Sequence, residues 1–392
     1  MSASHYTLKL RSVELRILRM PLKEPFITSY GQENEKEFAF ITVTTVDGTT
    51  GYGECTAFSE PLYLEETTMT AIHVLRDFFI PLVLQYEFTH PDEVSSLLRP
   101  FRGHYMAKAA LVGAIFDAYC KEQNIALAKA IGATKTKVQA GISIGIAPSL
   151  SDLLKQIENY LSQGFARIKI KIKPGYDLDI IRQIRNEFGN ISLMADANSA
   201  YTLDDLPRLK ALDEFSLMMI EQPLAYDDII DHARLQQQMM TPICLDESIR
   251  TVDDARKAIQ IGACKVINVK IGRVGGLTYA RDIVALAKNE GVATWCGGML
   301  EAGVGRLCNI AISALDGMVL PGDLAPSARY FEEDIIEPQV TFSSPGLFAV
   351  STEPGLGAHV LTERVERRTV YKQLYTNSSL DDRKAIFFDD QD

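Results

Sequence analysis

Arg167-Ile-Lys-Ile-Lys-Ile-Lys173 reads as a short strand, and three more strands follow it, each running from apolar residues into an acid. They are Leu193-Met-Ala-Asp196-Ala-Asn198, Met219-Ile-Glu221-Gln-Pro223 and Cys244-Leu-Asp246-Glu-Ser248. Asp196 to Glu221 is 25 residues, and Glu221 to Asp246 is another 25. That interval fits one strand, one helix and their loops. Working outward, eight short apolar runs recur at similar intervals: residues 139–146, 167–172, 191–195, 217–220, 243–245, 266–270, 292–296 and 318–321. Amphipathic stretches such as Leu178–Phe188 and Asp253–Ile261 lie between them. Strands alternating with helices form right-handed βα units on a parallel sheet. Eight units close most naturally into a TIM-like (β/α)8-type barrel. The alternative is a doubly wound open sheet, which the absence of Gly-x-Gly-x-x-Gly after the first strand disfavours.

The residues before the barrel have a different texture. Residues 7–19 alternate in polarity, residues 38–46 are β-rich, and Asp47-Gly48 between β-rich runs signals a hairpin. Residues 66–86 and 106–131 carry helical spacing. This predicts an N-terminal α+β capping domain over residues 1–132 and a barrel over 133–335. Residues 336–392 are expected to return to the cap, with a charged, loosely held tail from Asp381.

Composition narrows the function. The chain has 392 residues, 46% of them hydrophobic, and a formal net charge of −11. That is enough apolar material for a large core, and the acidic balance argues against nucleic acid or anionic membranes as partners. The run Phe78–Leu84 is far too short to span a bilayer, and the charged N-terminus lacks a signal-peptide apolar block. The six cysteines (Cys55, Cys120, Cys244, Cys264, Cys296 and Cys308) form no C-x-x-C. They are expected to be buried free thiols of a cytoplasmic protein.

In such a barrel the chemistry gathers at the C-terminal strand ends. A period of two puts Lys169, Lys171 and Lys173 on one face of the second strand, aimed inward, with the isoleucines on the other. Three carboxylates on adjacent strand ends, Asp196, Glu221 and Asp246, would repel one another without a cation. Their all-oxygen set suits Mg2+, with Mn2+ also possible. Asn198 could support the site or serve a turn. Lys270 is 24 residues beyond Asp246. Strands two and six of eight are opposed, so Lys171 and Lys270 would face a small carboxylate substrate from opposite sides. Mg2+ and Lys169 would depress the pKa of Lys171 and suit it to abstract a proton next to a carboxylate. The glycine-rich stretch 297–305 could approach a ligand closely or cradle a phosphate, but it is not a P-loop. No Gly-x-Ser-x-Gly is present and no histidine ends a barrel strand, which argues against hydrolase triads.

Lys169-x-Lys171, Asp196-x-Asn198, Glu221-Gln-Pro, Asp246-Glu-Ser and Lys270, in this order and spacing, resemble the enolase superfamily, in its muconate-lactonizing-enzyme subgroup. Within it the chain is similar to the branch of o-succinylbenzoate synthases and N-succinylamino acid racemases. The carrying stretches are Gly53-Glu54 with Pro61–Thr67, Lys270–Gly276, Gly297–Gly303 and Leu320–Ser327. Ile271, Ala302 and Lys173 depart from the usual proline, serine and acid.

The resemblance implies a (β/α)7β variant of the barrel, with Asp196, Glu221 and Asp246 as metal ligands. It implies Lys171 as the base that starts dehydration of the cyclohexadiene precursor of menaquinone, Lys270 as the opposing lysine and Lys169 as the group that tunes Lys171. It ties Arg273 to racemase activity and places Asn198, Tyr63, Gly298, Met299, Leu300 and Ser29 at the substrate, with Phe26–Gly31 as a lid. It implies a homo-oligomer. Dipeptide epimerisation and cycloisomerisation are alternative reactions; Leu324 and Ala325 after Asp323 count against the first. A non-catalytic barrel binding a phosphorylated ligand is a third reading.

Overall fold

The computed structural model describes residues 6–27 and 32–378. Its N-terminal part is an antiparallel sheet built on a meander: Leu8–Ile27, Gln32–Thr45 and Thr50–Cys55. Val13 and Leu15 pair with Val43 and Ile41 on one buried face of the sheet, while Phe38 and Phe40, paired with Leu18 and Arg16, are buried on the other. The Asp47-Gly48 turn closes the second hairpin, with Gly48 at φ +90°, a conformation glycine adopts without a steric penalty. Thr369–Thr376 pairs antiparallel with the outer side of the first strand, so the C-terminal segment completes this sheet.

The alanine-rich helix Tyr105–Glu122 lies against the sheet, most of its residues buried. Gly53 and Gly51 permit this approach. A Cβ on Gly53 would come 1.9 Å from the Ala110 carbonyl oxygen. The helical run 66–86 is observed as Thr68–Leu84 with a π-helical turn at Leu75–Phe79. The run 106–131 breaks after Glu122, where Asn124 takes a left-handed conformation, and resumes at Leu127–Ala130.

The eight barrel strands are Lys137–Ile144, Arg167–Lys171, Leu193–Asp196, Ile220–Glu221, Ile243–Leu245, Val266–Val269, Ala293–Cys296 and Gly322–Asp323. They pair in parallel in the order seven, six, five, four, three, two, one, eight. A bridge between Thr294 and Met318 brings the seventh strand against the approach to the eighth. The sequence placed the last strand at 318–321. Pro321 lacks an N–H, and the ladder forms just after it, where Gly322 and Asp323 pair with Ala140 and Gly141.

The inward residues stack in layers. Met194, Met219, Cys244, Val266 and Trp295 form an apolar plug separate from the main core, and Asp196, Glu221, Asp246 and Asn268 each lie two residues beyond a member of it. Ile168, Ile170 and Ile172 pack outward as their period requires. Lys173 departs from the expectation. The strand ends at Lys171, Lys173 bridges to Tyr176, and its side chain is exposed rather than inside the barrel. All six cysteines are buried and unpaired. No helix among the described residues is long and apolar enough to cross a membrane.

Candidate active site

Parallel register assembles the site. Lys171 pairs with Asp196, and Asp196 with Glu221, on adjacent strand ends. Glu221 pairs with Cys244, so Asp246 lies two residues further along the fifth strand than the equal 25-residue spacing suggests. Each acid is followed by a sharp turn. Asn198, Ser199 and Gln222 all take left-handed backbone conformations. The Gln222 side chain accepts the Asp246 N–H at 3.0 Å and donates to Ser248 Oγ at 2.6 Å, which fixes the fifth loop against the fourth.

The lysines and acids pair across this layer. Lys171 Nζ donates to Asp196 Oδ2 at 2.6 Å and to Asn198 Oδ1 at 2.7 Å. Lys169 Nζ lies 3.0 Å from Glu221 Oε2, 2.8 Å from Asp323 Oδ2 and 3.4 Å from Asp196 Oδ2. From the opposite wall, Lys270 Nζ donates to Asp246 Oδ2 at 2.8 Å and to the Tyr63 hydroxyl at 3.0 Å. Arg273 forms an ion pair with the other Asp246 oxygen and donates to the Ile249 carbonyl. Asn268 Nδ2 donates to Glu221 Oε1 at 2.6 Å.

Burial makes these pairings decisive for charge, because an unpaired charge here would be costly. Burial favours a neutral Asp196, but the Lys171 and Lys169 ammonium groups outweigh it and hold Asp196 at about 2. Burial, then the nearby Asp196 charge, raises Glu221. For Lys169 burial opposes the charge, yet Asp323, Glu221 and Asp196 together raise its pKa. Lys270 is raised in the same way, against burial, by Tyr63, Glu221 and Glu247.

A cavity of about 60 Å3 lies between Lys171 and Lys270. Phe26, Phe58 and Tyr63 wall it from the cap, and Gly298, Met299 and Leu300 from the loop after the seventh strand. Phe26, Phe58 and Leu300 also border a larger space of about 470 Å3 on the cap side. Asn198 borders the small cavity. Arg273 does not; it is fully buried behind Asp246 and Tyr63. Ser29 and residues 28–31 of the expected lid lie outside the described residues.

Sequence reasoning missed three participants. Asp323 anchors Lys169 and Arg167 from the eighth strand. Glu247 accepts from Asn198 through one oxygen, while its other oxygen is buried without a hydrogen-bond partner. Asn268 holds Glu221. The one available signal was inward phase: Asn268 is two residues before Lys270.

Among the described residues, no three acid, histidine or cysteine side chains stand close enough together to hold a metal. The acids are instead drawn to lysine and arginine. The donor chemistry nevertheless fits a hard divalent cation: three buried carboxylates on adjacent strands, and a fourth beside them with an unpartnered oxygen.

Residues 12–132 match the mandelate racemase/muconate lactonizing enzyme N-terminal domain, and residues 152–364 match the enolase C-terminal domain-like family. The chain belongs to the enolase superfamily. It is an enzyme of the mandelate racemase/muconate lactonizing type, a group generally dependent on a divalent metal. It is 53% identical over 363 residues to an o-succinylbenzoate synthase of Geobacillus kaustophilus, covering 93% of this chain and 96% of the relative. It is 43% identical over 372 residues to an N-succinylamino acid racemase of Thermus thermophilus, covering 95% and 100%. A solved enolase-superfamily structure from Listeria innocua superposes with a TM-score of 0.92 at 41% identity, covering 94% of this chain and 100% of that one.

Proposed function

We propose that this enzyme is an o-succinylbenzoate synthase. It dehydrates 2-succinyl-6-hydroxy-2,4-cyclohexadiene-1-carboxylate, a step of menaquinone biosynthesis, in the cytoplasm. The observation that carries the reading is the pair of buried lysines on opposite walls of one small cavity, each tied to a strand-end acid. Asp196, Glu221 and Asp246 would hold Mg2+, or Mn2+ in its place. That cation supplies positive charge to the substrate carboxylate and so lowers the cost of removing the neighbouring proton.

The chain's own groups do the rest. Lys171, once neutral, takes the proton from the carbon bearing the carboxylate. The C–O bond to the ring hydroxyl then breaks, and the proton on Lys171 leaves with that oxygen as water. Lys270 stays cationic on the far wall, where its pairing with Asp246 and Tyr63 holds it, and stabilises the charge that develops. Lys169 keeps Asp196 and Glu221 oriented. Met299, Leu300 and Tyr63 would shape the cavity around the succinyl group, with Phe26 bordering it from the cap.

A second activity, racemisation of N-succinylamino acids, is favoured by the symmetry of Lys171 and Lys270 about the cavity. Each would serve one face of the α-carbon, and Arg273 would act on this reaction through Asp246. We further propose functional limits of 1–132 for the cap, 133–335 for the barrel and 336–392 for the returning segment, and a homo-oligomeric assembly.

The deciding experiment is side-by-side kinetics on the cyclohexadiene substrate and on N-succinylamino acids of both hands, with Mg2+. Wild-type protein should turn over the first, and Lys171→Ala should lose both activities. Full activity of Lys171→Ala would overturn the assignment of the base.

A further inference from the structure

The wall formed by Gly298, Met299 and Leu300 carries a strained residue. Leu300 is buried at φ +57°, an unfavourable conformation for a leucine, and it borders both cavities. Such a conformation persists only where the surroundings enforce it.

The enforcing groups lie behind the loop. Glu301 Oε1 accepts the Met299 N–H at 2.9 Å, so the side chain clamps the tip of its own loop. Arg306, fully buried, lies 3.4 Å from Glu301 Oε2 and donates to the Asp323 carbonyl at 3.0 Å. From the cap, Glu54 reaches across and accepts the Ala302 and Gly305 N–H groups at 2.8 and 2.9 Å. These two amides open the helix Gly303–Ser313, whose N-terminal dipole suits a carboxylate. A side chain at Gly305 would strike Glu301 at 2.8 Å, so the approach needs glycine there.

The joint is polar within. A cavity of about 30 Å3 separates cap from barrel, bordered by Glu54, Thr56, Glu301 and Asn309. Thr56 Oγ1, Glu301 Oε2 and Asn309 Nδ2 are buried there without a hydrogen-bond partner. Lys36, buried over the Phe58 ring at 4.0 Å, faces both glutamates from the cap; burial lowers its pKa, and Glu54 and Glu301 oppose that shift. Neither glutamate touches the lysines or acids assigned to the reaction.

We infer that Glu301 is a positioning residue for substrate recognition, anchored to the cap by Glu54, and that it fixes the Met299–Leu300 wall against the substrate's acyl arm. This inference rests on the succinyl-substrate reading above. Its mechanism is a clamp on the loop, so it bears on binding and leaves the proton transfer at Lys171 and Lys270 untouched.

The test pairs steady-state kinetics with amide hydrogen exchange on wild type, Glu301→Ala, Glu301→Gln and Glu54→Gln, all with Mg2+. Glu301→Ala should raise KM for the succinyl substrate about tenfold, the worth of one well-made hydrogen bond. Its kcat should stay within about threefold of wild type. Exchange at Met299 should quicken in the same variant. Glu301→Gln keeps an acceptor for that amide and should restore both readouts. Glu54→Gln can accept only one of its two amides well, so KM should rise less and exchange should quicken at Ala302 or Gly305. Unchanged KM and exchange in Glu301→Ala would overturn the inference, as would a loss confined to kcat. Equal damage from Glu301→Gln would also overturn it, because charge rather than the clamp would then be responsible. Should Glu301→Ala fail to fold, Glu54→Gln carries the test: wild-type KM and exchange there would reject the cap anchor. Should the wild type turn over neither substrate, the functional reading fails by itself, and the exchange data still decide whether Glu301 and Glu54 hold the loop.

Discussion

Lys169 shows how a single residue's role depends on partners from several strands. Its ammonium group touches acids from strands three, four and eight, and lies 4.9 Å from the Trp295 ring centre beneath. Asp323 is shared between Lys169 and Arg167. Asp323→Asn would leave two buried cations without their common counter-charge. Unpairing a buried charge costs about 3–5 kcal/mol, and urea unfolding of the variant should show a loss of that order.

Glu54 supplies a pH dependence. Burial and the adjacent Glu301 raise its pKa from 4.5 to about 7, against the Gly305 and Ala302 N–H groups and Lys36; Lys36 and Arg306 are the basic side chains that face it. An acid raised in the fold favours the fold while protonated. That contribution is whole below 4.5 and is lost as pH rises through about 7. Melting temperature should therefore decline between about pH 5 and pH 8, and the decline should be shallower in Glu54→Gln. Identical slopes in the two proteins would rule this out.

At the scale of elements, strand and helix assignments followed from periodicity, and their ends followed from chemistry that periodicity does not contain. The eighth strand begins after Pro321 because proline cannot donate to the ladder. The second stops at Lys171, which turns Lys173 outward. The contact between Thr50–Cys55 and Tyr105–Glu122 depends on Gly51 and Gly53, where backbone meets backbone. Gly53→Ala would place a methyl group 1.9 Å from the Ala110 carbonyl oxygen. The helix would have to withdraw, and overpacking of this kind costs about 1–3 kcal/mol. A lowered urea midpoint at unchanged m-value would register it. Because Glu54 is the next residue, the same shift should raise KM as well.

At the scale of the molecule, the site is complete only when cap and barrel meet. Tyr63, Phe58 and Phe26 come from the cap, and the C-terminal strand Thr369–Thr376 holds the edge of the cap sheet. Removing the segment from Thr369 onward would uncover a long edge strand, and aggregation with loss of activity is the expected result. Divalent metal should act on the whole fold. Binding to the folded state alone at one hundred times its dissociation constant adds about 2.7 kcal/mol. Thermal unfolding with Mg2+ against chelator should show a rise, and Asp196→Asn should abolish it.

The sequence by itself determined the barrel, the cap and the inward phase of Lys169, Lys171, Asp196, Glu221, Asp246 and Lys270. A period of two and a regular strand–helix interval are local properties, and both survive in a linear reading. The carboxylates and lysines were legible because several chemically distinctive residues share that phase. Tertiary structure alone decided the pairings: which lysine meets which acid, Asp323 under Lys169, Arg273 behind Asp246, and Glu54 reaching from the cap to the helix that follows Glu301. Those contacts join residues as many as 251 positions apart. They depend on strand register, on the shear of the barrel and on the seating of the cap, and none of these leaves a periodic trace in the chain.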